Sequence, residues 1–390
     1  MPDGATPSSP VPPLAIMSLQ AGTCKGGADI LALDTAIRLK ARGHRIVWAC
    51  VPDCALIGKA EEAGFKIFPI QRKFSLGQCF RLIGFCRGER IDVINAQDSR
   101  SRHLAAVSRL LGLSSRVVFT RHCIPGFAPV IGAFQDWIGA DFTIAVSNAV
   151  KDALRAGRLP ASRMAMIYGS IDIARFDQVG PEKIERLKNL YCRRNTLNIG
   201  MVARFHKDSV RPGRPSAKSH EVLFRALSRI KEDFKLIAVG CDDDARESLK
   251  ELALKSGLDT GKLAICGFEP DIAPFYKIFD ISVLPSPAEG LGLVVAEAMA
   301  AGSAAVAANS GGAAEIITDG VDGLLFEPGN EADLASKIRL LMNDPVLRKT
   351  FIENSRHKVR ELFDINKNSL ETEKILARVA GNRRPDTIFS

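Results

Sequence analysis

Short apolar segments alternate with helical patterns along most of the chain, and this alternation constrains the fold more than any other feature. In the first half, the segments that read as buried strands are Leu14–Gln20, His44–Cys50, Lys66–Ile70, Ile91–Asn95, Arg116–Thr120 and Phe142–Val146. After Arg175-Phe176 the alternation restarts with Leu197–Val202, Phe234–Val239, Lys262–Cys266, Ile281–Leu284 and Ala304–Ala308. Strands that alternate with helices predict parallel, doubly wound sheets. We therefore expect an α/β protein with two Rossmann-like domains that face a central cleft.

The length of 390 residues leaves room for two domains, and local composition suggests where they divide. Residues 1–13 are rich in Pro and Ser and are predicted to be disordered. A polar helix around Pro181–Arg193 is expected to connect the two series of strands. We predict an N-terminal domain over 14–180 and a C-terminal domain over 181–362. A final helix and tail over 363–390 are expected to return toward the N-terminal domain.

The nine cysteines are scattered and form no C-x-x-C pair. This argues against a disulfide framework or a zinc ribbon and favours a reducing, cytoplasmic compartment. No set of His, Asp, Glu and Cys has the spacing of metal ligands, so we expect no metal and no other cofactor. The N-terminus lacks the features of a signal peptide. The longest apolar run, Leu291–Ala308, contains Glu297 and is rich in alanine, so no transmembrane helix is expected.

The net charge of +9 is concentrated in the first half of the chain. Residues 1–180 carry 22 Lys and Arg against 14 Asp and Glu, whereas residues 181–390 carry 31 against 30. A basic domain favours an anionic partner such as membrane phospholipid, nucleic acid or a phosphorylated acceptor. An ordinary basic surface would give the same count, so both interpretations stay open.

The stretch Ser282–Gly312 has the pattern of a binding site for a phosphate and a sugar. A short strand leads to a turn with Glu289, Gly290 and Gly292, and the following helix carries Glu297. The start of a helix at the carboxyl edge of a parallel sheet favours phosphate through its backbone N–H groups and dipole. A carboxylate beside it could accept hydrogen bonds from sugar hydroxyls.

Two cations lie at neighbouring strand ends and could neutralise a diphosphate. Arg204 follows the strand Leu197–Val202, and Lys218 precedes the next helical pattern. The loop 208–217 between them is rich in Pro, Arg and Ser and is predicted to be mobile. Either cation alone could simply be a solvated surface residue.

The first half offers three candidate positions at strand ends. His122 lies in a loop after a strand and could bind a sugar hydroxyl, although an isolated loop histidine often has no such role. The glycine-rich turn with Gly26-Gly27 precedes a helix and favours close approach of a phosphate or sugar, or is only a tight turn. The acidic and basic residues after Asn95 could hold an acceptor or could equally form a helix cap and a solvated helix turn; they are Asp98, Arg100 and Arg102.

The run from Pro285 to Asn330 resembles the donor-site signature of the family 4 retaining glycosyltransferases, also called glycosyl transferases group 1. Lys218-Ser219-His220 resembles the Lys-Gly-His segment of that family, and Gly267-Phe268 resembles the loop before its base-contacting segment. In the first half, GGADILALDTAIRLKARGH over Gly26–His44 also matches in place. The resemblance implies the GT-B fold, a nucleotide-diphospho-sugar donor and catalysis without a metal.

Carried over residue by residue, the resemblance assigns a role to each candidate. Glu289 would contact the donor sugar near its reacting carbon, and Glu297 would bind the nucleotide ribose. Arg204 and Lys218 would neutralise the departing diphosphate, and His122 would contact the donor sugar. We thus expect Glu289, His122, Arg204 and Lys218 to be catalytic. The implied donor-binding residues are Gly26, Gly27, Gly267, Phe268, Gly290, Leu291, Gly292, Leu293 and Glu297, and the acceptor would bind near Asp98, Arg100 and Arg102.

The chain departs from the family pattern at several positions. Residues 208–217 lengthen the spacing from Arg204 to the lysine, and Ser219 stands where the family has glycine. Ser303-Ala304 lacks the usual proline after Gly302. Tyr168 and Gln97 stand where relatives often have Asn and His, and Gln97 mainly bears on the identity of the acceptor.

These features predict a cytoplasmic, retaining hexosyltransferase that acts in lipopolysaccharide, glycolipid or other envelope polysaccharide synthesis. Its acceptor would be a carbohydrate or a lipid-linked sugar, and the enzyme would lie at the inner face of the plasma membrane. No nucleic acid is expected as a partner. One alternative is transfer to a small soluble acceptor. Others are a nucleotide-sugar epimerase, for which further cleft acids and histidines are not found, and a non-catalytic protein that binds sugar nucleotides.

Overall fold

The computed structural model describes residues 11–22, 24, 26–124, 135–209, 216 and 218–381. The chain divides into two compact units, the first formed by the residues up to Ser170 together with those from Ile365, and the second by Ile171–Asp364. The division therefore falls ten residues earlier than the expected boundary after residue 180. Most of the predicted disordered tail, residues 1–10, and most of the predicted mobile loop, residues 210–215 and 217, lie outside the described residues.

A seven-stranded parallel sheet forms the centre of the first unit, in the order β3-β2-β1-β4-β5-β6-β7. The strands are β1 Ala15–Leu19, β2 Arg45–Cys50, β3 Lys66–Pro69, β4 Val93–Ala96, β5 Arg116–Arg121, β6 Phe142–Ala145 and β7 Met164–Met166. Met17 of β1 lies opposite Val47 of β2 on one side and Ile94 of β4 on the other. The strand order reverses at β1 and β4, where doubly wound sheets bind ligands beyond their carboxyl ends.

Helices connect these strands and cover the sheet. They are α1 Gly27–Ala41, α2 Ile57–Glu62, α3 Leu76–Gly88, α4 Ser99–Leu110 and α5 Asn148–Ala156. The apolar faces of α1 to α4 join the strands in one buried core that includes Met17, Trp48 and Phe119.

The second unit repeats this plan with a six-stranded parallel sheet in the order β10-β9-β8-β11-β12-β13. The strands are β8 Leu197–Phe205, β9 Phe234–Cys241, β10 Leu263–Cys266, β11 Ile281–Leu284, β12 Ala304–Ala308 and β13 Leu324–Phe326. The helices are α6 Ile173–Asp177, α7 Pro181–Tyr191, α8 His220–Ser228, α9 Arg246–Lys255, α10 Ala273–Tyr276, α11 Leu293–Ala301, α12 Ala313–Ile316, α13 Glu331–Asn343 and α14 Pro345–Leu362. The order reverses between β8 and β11, so the loops after these two strands lie next to each other.

The last helix, α15 Ile365–Gly381, belongs to the first unit although it follows the second in the chain. Glu373 of α15 is fully buried; its Oε1 accepts a hydrogen bond from His44 Nε2 at 2.6 Å, and its Oε2 forms an ion pair with Arg42, whose Nε lies 2.8 Å away. His44 Nδ1 accepts the backbone N–H of Leu14 at 3.0 Å, so the proton that His44 donates lies on Nε2. A buried acid with two partners thus holds α15 against the start of β2.

The fold agrees with the predicted α/β class, and the differences are local. The edge strands β7 and β13 have three residues each, too few for a periodic apolar pattern, and the sequence did not predict them. The sequence also gave no range for α3, whose pattern is interrupted by Gly77 and Gly84. Within the described residues, no helix has the length and hydropathy that crossing a bilayer requires.

Candidate functional site

The loop between β11 and α11 is fixed by its backbone. Gly292 directly precedes α11 and has a φ of +83°, a left-handed conformation that favours glycine. The backbone N–H of Gly312 donates to the carbonyl of Glu289 at 3.0 Å. A Cβ at Gly312 would lie 2.3 Å from the carbonyl oxygen of Gly290 and 2.4 Å from the Cα of Leu291. Because these backbones touch, residues 289–291 are held in one conformation at the start of a helix.

Lys218 and Glu289 meet at this loop, although 71 residues separate them in the sequence. Lys218 Nζ lies 2.6 Å from Glu289 Oε1, and the two side chains are 36% and 14% exposed. A pair this accessible adds at most about 1 kcal/mol to folding, because water screens it. The predicted catalytic acid and cation therefore form a contact whose stabilising effect is small and which a ligand could replace.

The turn that carries Lys218 contains a residue with a left-handed backbone, Ser219, and is followed by a buried histidine, His220. Ser219 has φ +50° and ψ +44°, the left-handed region, which explains why glycine suits this position. His220 is buried with its ring edge against Phe205 at 5.0 Å. Burial, and then the charge of Lys218, lower the pKa of His220 to about 3, so the imidazole is neutral.

Arg204 lies near the end of β8, and its Nη2 is 3.4 Å from Asp242 Oδ2. Its side chain is 42% exposed. Within the described ranges, no direct contact links Arg204 to Lys218 or Glu289. Lys218 therefore pairs with Glu289, as a shared site requires, whereas Arg204 pairs with a different carboxylate, that of Asp242.

Glu297 is buried on α11, and its hydrogen-bond partner was not among the predicted site residues. The hydroxyl of Tyr276 donates to Glu297 Oε2 at 3.0 Å. Burial, together with the Glu297 charge, raises the pKa of Tyr276 well above its usual value, so the phenol keeps its proton. The chain has only three tyrosines, and a tyrosine just before the signature stretch was the one sequence signal for this contact.

Gly267 and Phe268 follow β10 at the same edge of the second sheet. The carbonyl of Gly267 accepts the backbone N–H of Gly240 at 3.1 Å. Both Gly267 and Phe268 are partly exposed. The pair is therefore anchored to the end of β9 by its backbone and leaves the Phe268 side chain partly accessible.

In the first unit, His122 and Gln97 follow the adjacent strands β5 and β4. His122 Nε2 lies 2.8 Å from Gln97 Oε1, and because an amide oxygen only accepts, this hydrogen bond places the imidazole proton on Nε2. Burial, and then the charge of Arg102, lower the pKa of His122 to about 3. His122 is therefore a neutral imidazole that Gln97 orients.

The three residues expected at the acceptor have different environments. Asp98 is the N-cap of α4: its Oδ1 accepts the N–H groups of Arg100 and Ser101 at 2.9 Å, and its Oδ2 that of Ala21 at 2.6 Å. Arg100 is exposed, whereas Arg102 is buried and donates to the carbonyl of Gln97 at 3.4 Å. Burial lowers the pKa of Arg102 to about 10. The contacts of Asp98 are thus those of a helix cap.

Gly26 and Gly27 form the start of α1. Gly26 is the N-cap, and its backbone N–H donates to Asp29 Oδ2 at 3.0 Å. Both glycines are exposed. Within the part of the chain that the structure describes, no group of three or more His, Cys, Asp or Glu side chains is placed to hold a metal ion.

Two family models match the chain, one in each half. The model described as Glycosyl transferases group 1 matches residues 213–358, and the model described as Glycosyltransferase Family 4 matches residues 25–175. The chain therefore belongs to the group 1 glycosyltransferases of family 4, a family of sugar-transferring enzymes. This membership confirms the resemblance read from the sequence and does not favour the epimerase or the non-catalytic alternative.

Similar proteins support the same family and fold. An uncharacterized glycosyltransferase of Methanocaldococcus jannaschii, MJ1069, is 30% identical over 249 residues, which span 62% of this chain and 59% of that protein. The Campylobacter jejuni enzyme named N-acetylgalactosamine-N,N'-diacetylbacillosaminyl-diphospho-undecaprenol 4-alpha-N-acetylgalactosaminyltransferase is 26% identical over 70% of this chain and 73% of that enzyme. Alr3699/HepE of Anabaena, solved in complex with UDP and glucose, aligns over 93% of this chain and 99% of its own with a TM-score of 0.82 at 23% identity. At that identity the likeness shows a shared fold, the GT-B fold.

Proposed function

We propose that the chain transfers a hexose from a nucleotide-diphospho-sugar, with retention of configuration, to an acceptor in envelope polysaccharide or glycolipid synthesis. The observation that carries the proposal is the 2.6 Å contact between Lys218 Nζ and Glu289 Oε1 at the fixed turn before α11. The turn joins three things that this reaction needs: a cation, a carboxylate and helix N–H groups that favour phosphate.

The diphosphate would replace Glu289 as the partner of Lys218. Negative charge grows on the diphosphate as it leaves, so a cation and oriented N–H groups at this position stabilise the transition state more than the bound substrate. Glu289, once released from the lysine, could accept hydrogen bonds from the sugar hydroxyls. Lys218, Arg204 and the N–H groups at the start of α11 would together supply the positive charge that a metal ion supplies in other transferases.

The nucleoside would bind beside the second carboxylate. Tyr276 holds Glu297 Oε2 at 3.0 Å, which orients the carboxylate. A carboxylate accepts from two neighbouring ribose hydroxyls, and such charge-assisted hydrogen bonds are stronger than neutral ones. The Anabaena protein was solved with UDP, so uridine-diphospho-sugars are the first donors to test.

Retention would follow from attack on the face that the leaving group departs from. The bond between the anomeric carbon and the phosphate oxygen breaks, and the acceptor oxygen bonds to that carbon on the same face. The acceptor proton passes to the departing phosphate oxygen. On the family resemblance, the neutral His122 would contact the donor sugar.

For the acceptor we propose a lipid-linked sugar at the inner face of the plasma membrane. The name of the Campylobacter relative contains diphospho-undecaprenol, a lipid carrier. The excess of basic residues over residues 1–180 suits an anionic membrane surface. A small soluble acceptor is the alternative that keeps the same donor chemistry.

A donor screen tests the proposal. The purified chain is mixed with UDP-, GDP- and ADP-sugars, and thermal stability and release of the nucleoside diphosphate are measured with EDTA present. A true donor raises the unfolding temperature by mass action and is consumed when acceptor lipids are added. If no nucleotide-sugar is bound or consumed, the proposal is wrong.

A further inference from the structure

Three large apolar side chains are exposed within one short segment of the first unit. Phe74, Leu76 and Phe80 are 46%, 57% and 59% exposed. Leu76 and Phe80 are four residues apart on α3 and so share one helix face, with Phe74 just before the Ser75 cap. The opposite face of α3 packs into the core through Cys79, Leu82 and Cys86. The helix therefore has a second apolar surface that folding does not use.

Basic residues lie in the same segment of sequence as these side chains. Residues 71–90 contain the basic residues Arg72, Lys73, Arg81, Arg87 and Arg90 and a single acid, Glu89. Arg45 and Lys66 already neutralise Glu89, and Arg72 pairs with Asp53. Among the described residues, no carboxylate forms an ion pair with Lys73, Arg81 or Arg87, and Arg81 lies over the Phe68 ring at 5.8 Å.

The positive surface continues onto the neighbouring helix α4. The ring of Phe74 lies against His103 of α4, with 4.7 Å between the ring centroids. Arg100, one turn earlier on α4, is exposed as well. Aromatic and aliphatic side chains surrounded by arginine and lysine are the composition of helices that lie in a membrane interface.

We propose that the α3 surface, defined as Lys73, Phe74, Leu76, Phe80, Arg81 and Arg87, docks onto an anionic lipid bilayer. Charge complementarity selects this partner: the cations would contact lipid phosphates while the three apolar side chains enter the headgroup boundary. This inference deepens the proposed function, because it gives the membrane-bound acceptor a specific docking surface on the enzyme.

Vesicle flotation of the full chain tests the proposal. Mixed vesicles of phosphatidylglycerol and phosphatidylcholine are compared with phosphatidylcholine vesicles, at low and at high salt. The variants are Leu76→Gln with Phe80→Gln, and Lys73→Gln with Arg87→Gln. Leu254→Gln is the matched control, since Leu254 is 61% exposed on a helix of the second unit. Circular dichroism and thermal unfolding check that each variant is folded.

We expect the wild-type chain to float only with the anionic vesicles and to be released by salt. Each removed cation should weaken the partition constant about fivefold, and the apolar double substitution should weaken it at least about tenfold. Leu254→Gln should bind like wild type. If one of these variants misfolds, Phe80→Trp is used in its place. Brominated lipid should then quench the fluorescence of the added tryptophan.

The proposal is overturned by no flotation, by flotation that the α3 variants leave unchanged, or by an added tryptophan that brominated lipid does not quench. If sedimentation instead shows that Leu76→Gln with Phe80→Gln dissociates an oligomer, the surface joins copies of the chain and the proposal is also wrong. Hydrolysis of the donor without lipid separates this inference from the transferase itself. Donor use without vesicle binding contradicts only the docking surface, whereas vesicle binding without use of any donor contradicts only the proposed function.

Discussion

The loop after β11 in the second unit and the segment after β4 in the first occupy equivalent positions, at the carboxyl edge where the strand order reverses. After β11, the backbone sets the geometry, and the Glu289 and Lys218 side chains are bonded to each other and partly accessible. After β4, the carboxylate of Asp98 is occupied by three backbone N–H groups. Glu289 is therefore accessible to a ligand, whereas the carboxylate of Asp98 is already used by the backbone.

The largest effect on stability is expected where the second loop is packed most closely. In Gly312→Ala the new methyl group would overlap the carbonyl of Gly290, so we expect a loss of about 1–3 kcal/mol in the free energy of unfolding and weaker donor binding. Chemical denaturation followed by circular dichroism measures it. Gly180→Ala is the control, because a Cβ there meets no atom within 4 Å. Equal stability of the two variants would show that close backbone packing at Gly312 does not fix this loop.

Removal of one hydroxyl tests whether Tyr276 orients Glu297. In Tyr276→Phe the carboxylate loses a hydrogen bond of about 1–2 kcal/mol, so donor affinity should fall roughly tenfold. We expect the change in KM for the donor, with kcat nearly constant, since the ribose is remote from the reacting carbon. Tyr191→Phe is the control. A fall in kcat at unchanged KM would contradict the assignment.

Each unit contains one histidine that desolvation keeps neutral, His122 in the first and His220 in the second, and the pH dependence of the two can be compared directly. The pKa values of His122 and His220 are about 3 in the folded chain, below the ordinary value near 6.5 that they regain on unfolding. The unfolded chain therefore binds more protons, so stability is complete above pH 6.5 and is lost as the pH falls toward 3.

Each histidine should contribute a slope of up to about 1.4 kcal/mol per pH unit across that range. His122→Gln and His220→Phe should each reduce the slope of unfolding free energy against pH. His357→Gln, at a side chain that is 88% exposed, is the matched control. If neither His122→Gln nor His220→Phe changes the slope, desolvation does not keep these histidines neutral.

The smallest expected effect concerns the backbone at Ser219. Its φ of +50° strains any residue with a Cβ, so Ser219→Gly should raise the free energy of unfolding by about 1 kcal/mol. Ser228→Gly, at the last residue of α8, should instead lower it by about 0.5–1 kcal/mol. A loss of stability in Ser219→Gly would mean that the turn depends on the serine side chain.

Sequence patterns predicted the parallel sheets because buried strands and amphipathic helices leave long, periodic signals. The three-residue strands β7 and β13 leave no such signal. Glu289 and Glu297 were predicted as site residues because one continuous motif contains both. Tyr276, the N-cap role of Asp98 and the Gln97 to His122 hydrogen bond depend on contacts between distant residues, which no local pattern encodes.

One transfer assay tests whether Lys218 and Glu289 act together on the donor. Formation of glycosylated lipid from the donor found by screening is measured for wild type, Lys218→Met, Glu289→Gln and the control Lys207→Met, whose lysine is exposed beside Asp244. We expect the first two substitutions to lower kcat/KM about 10²–10³-fold and the control to stay near wild type. Full activity in either Lys218→Met or Glu289→Gln would contradict this expectation.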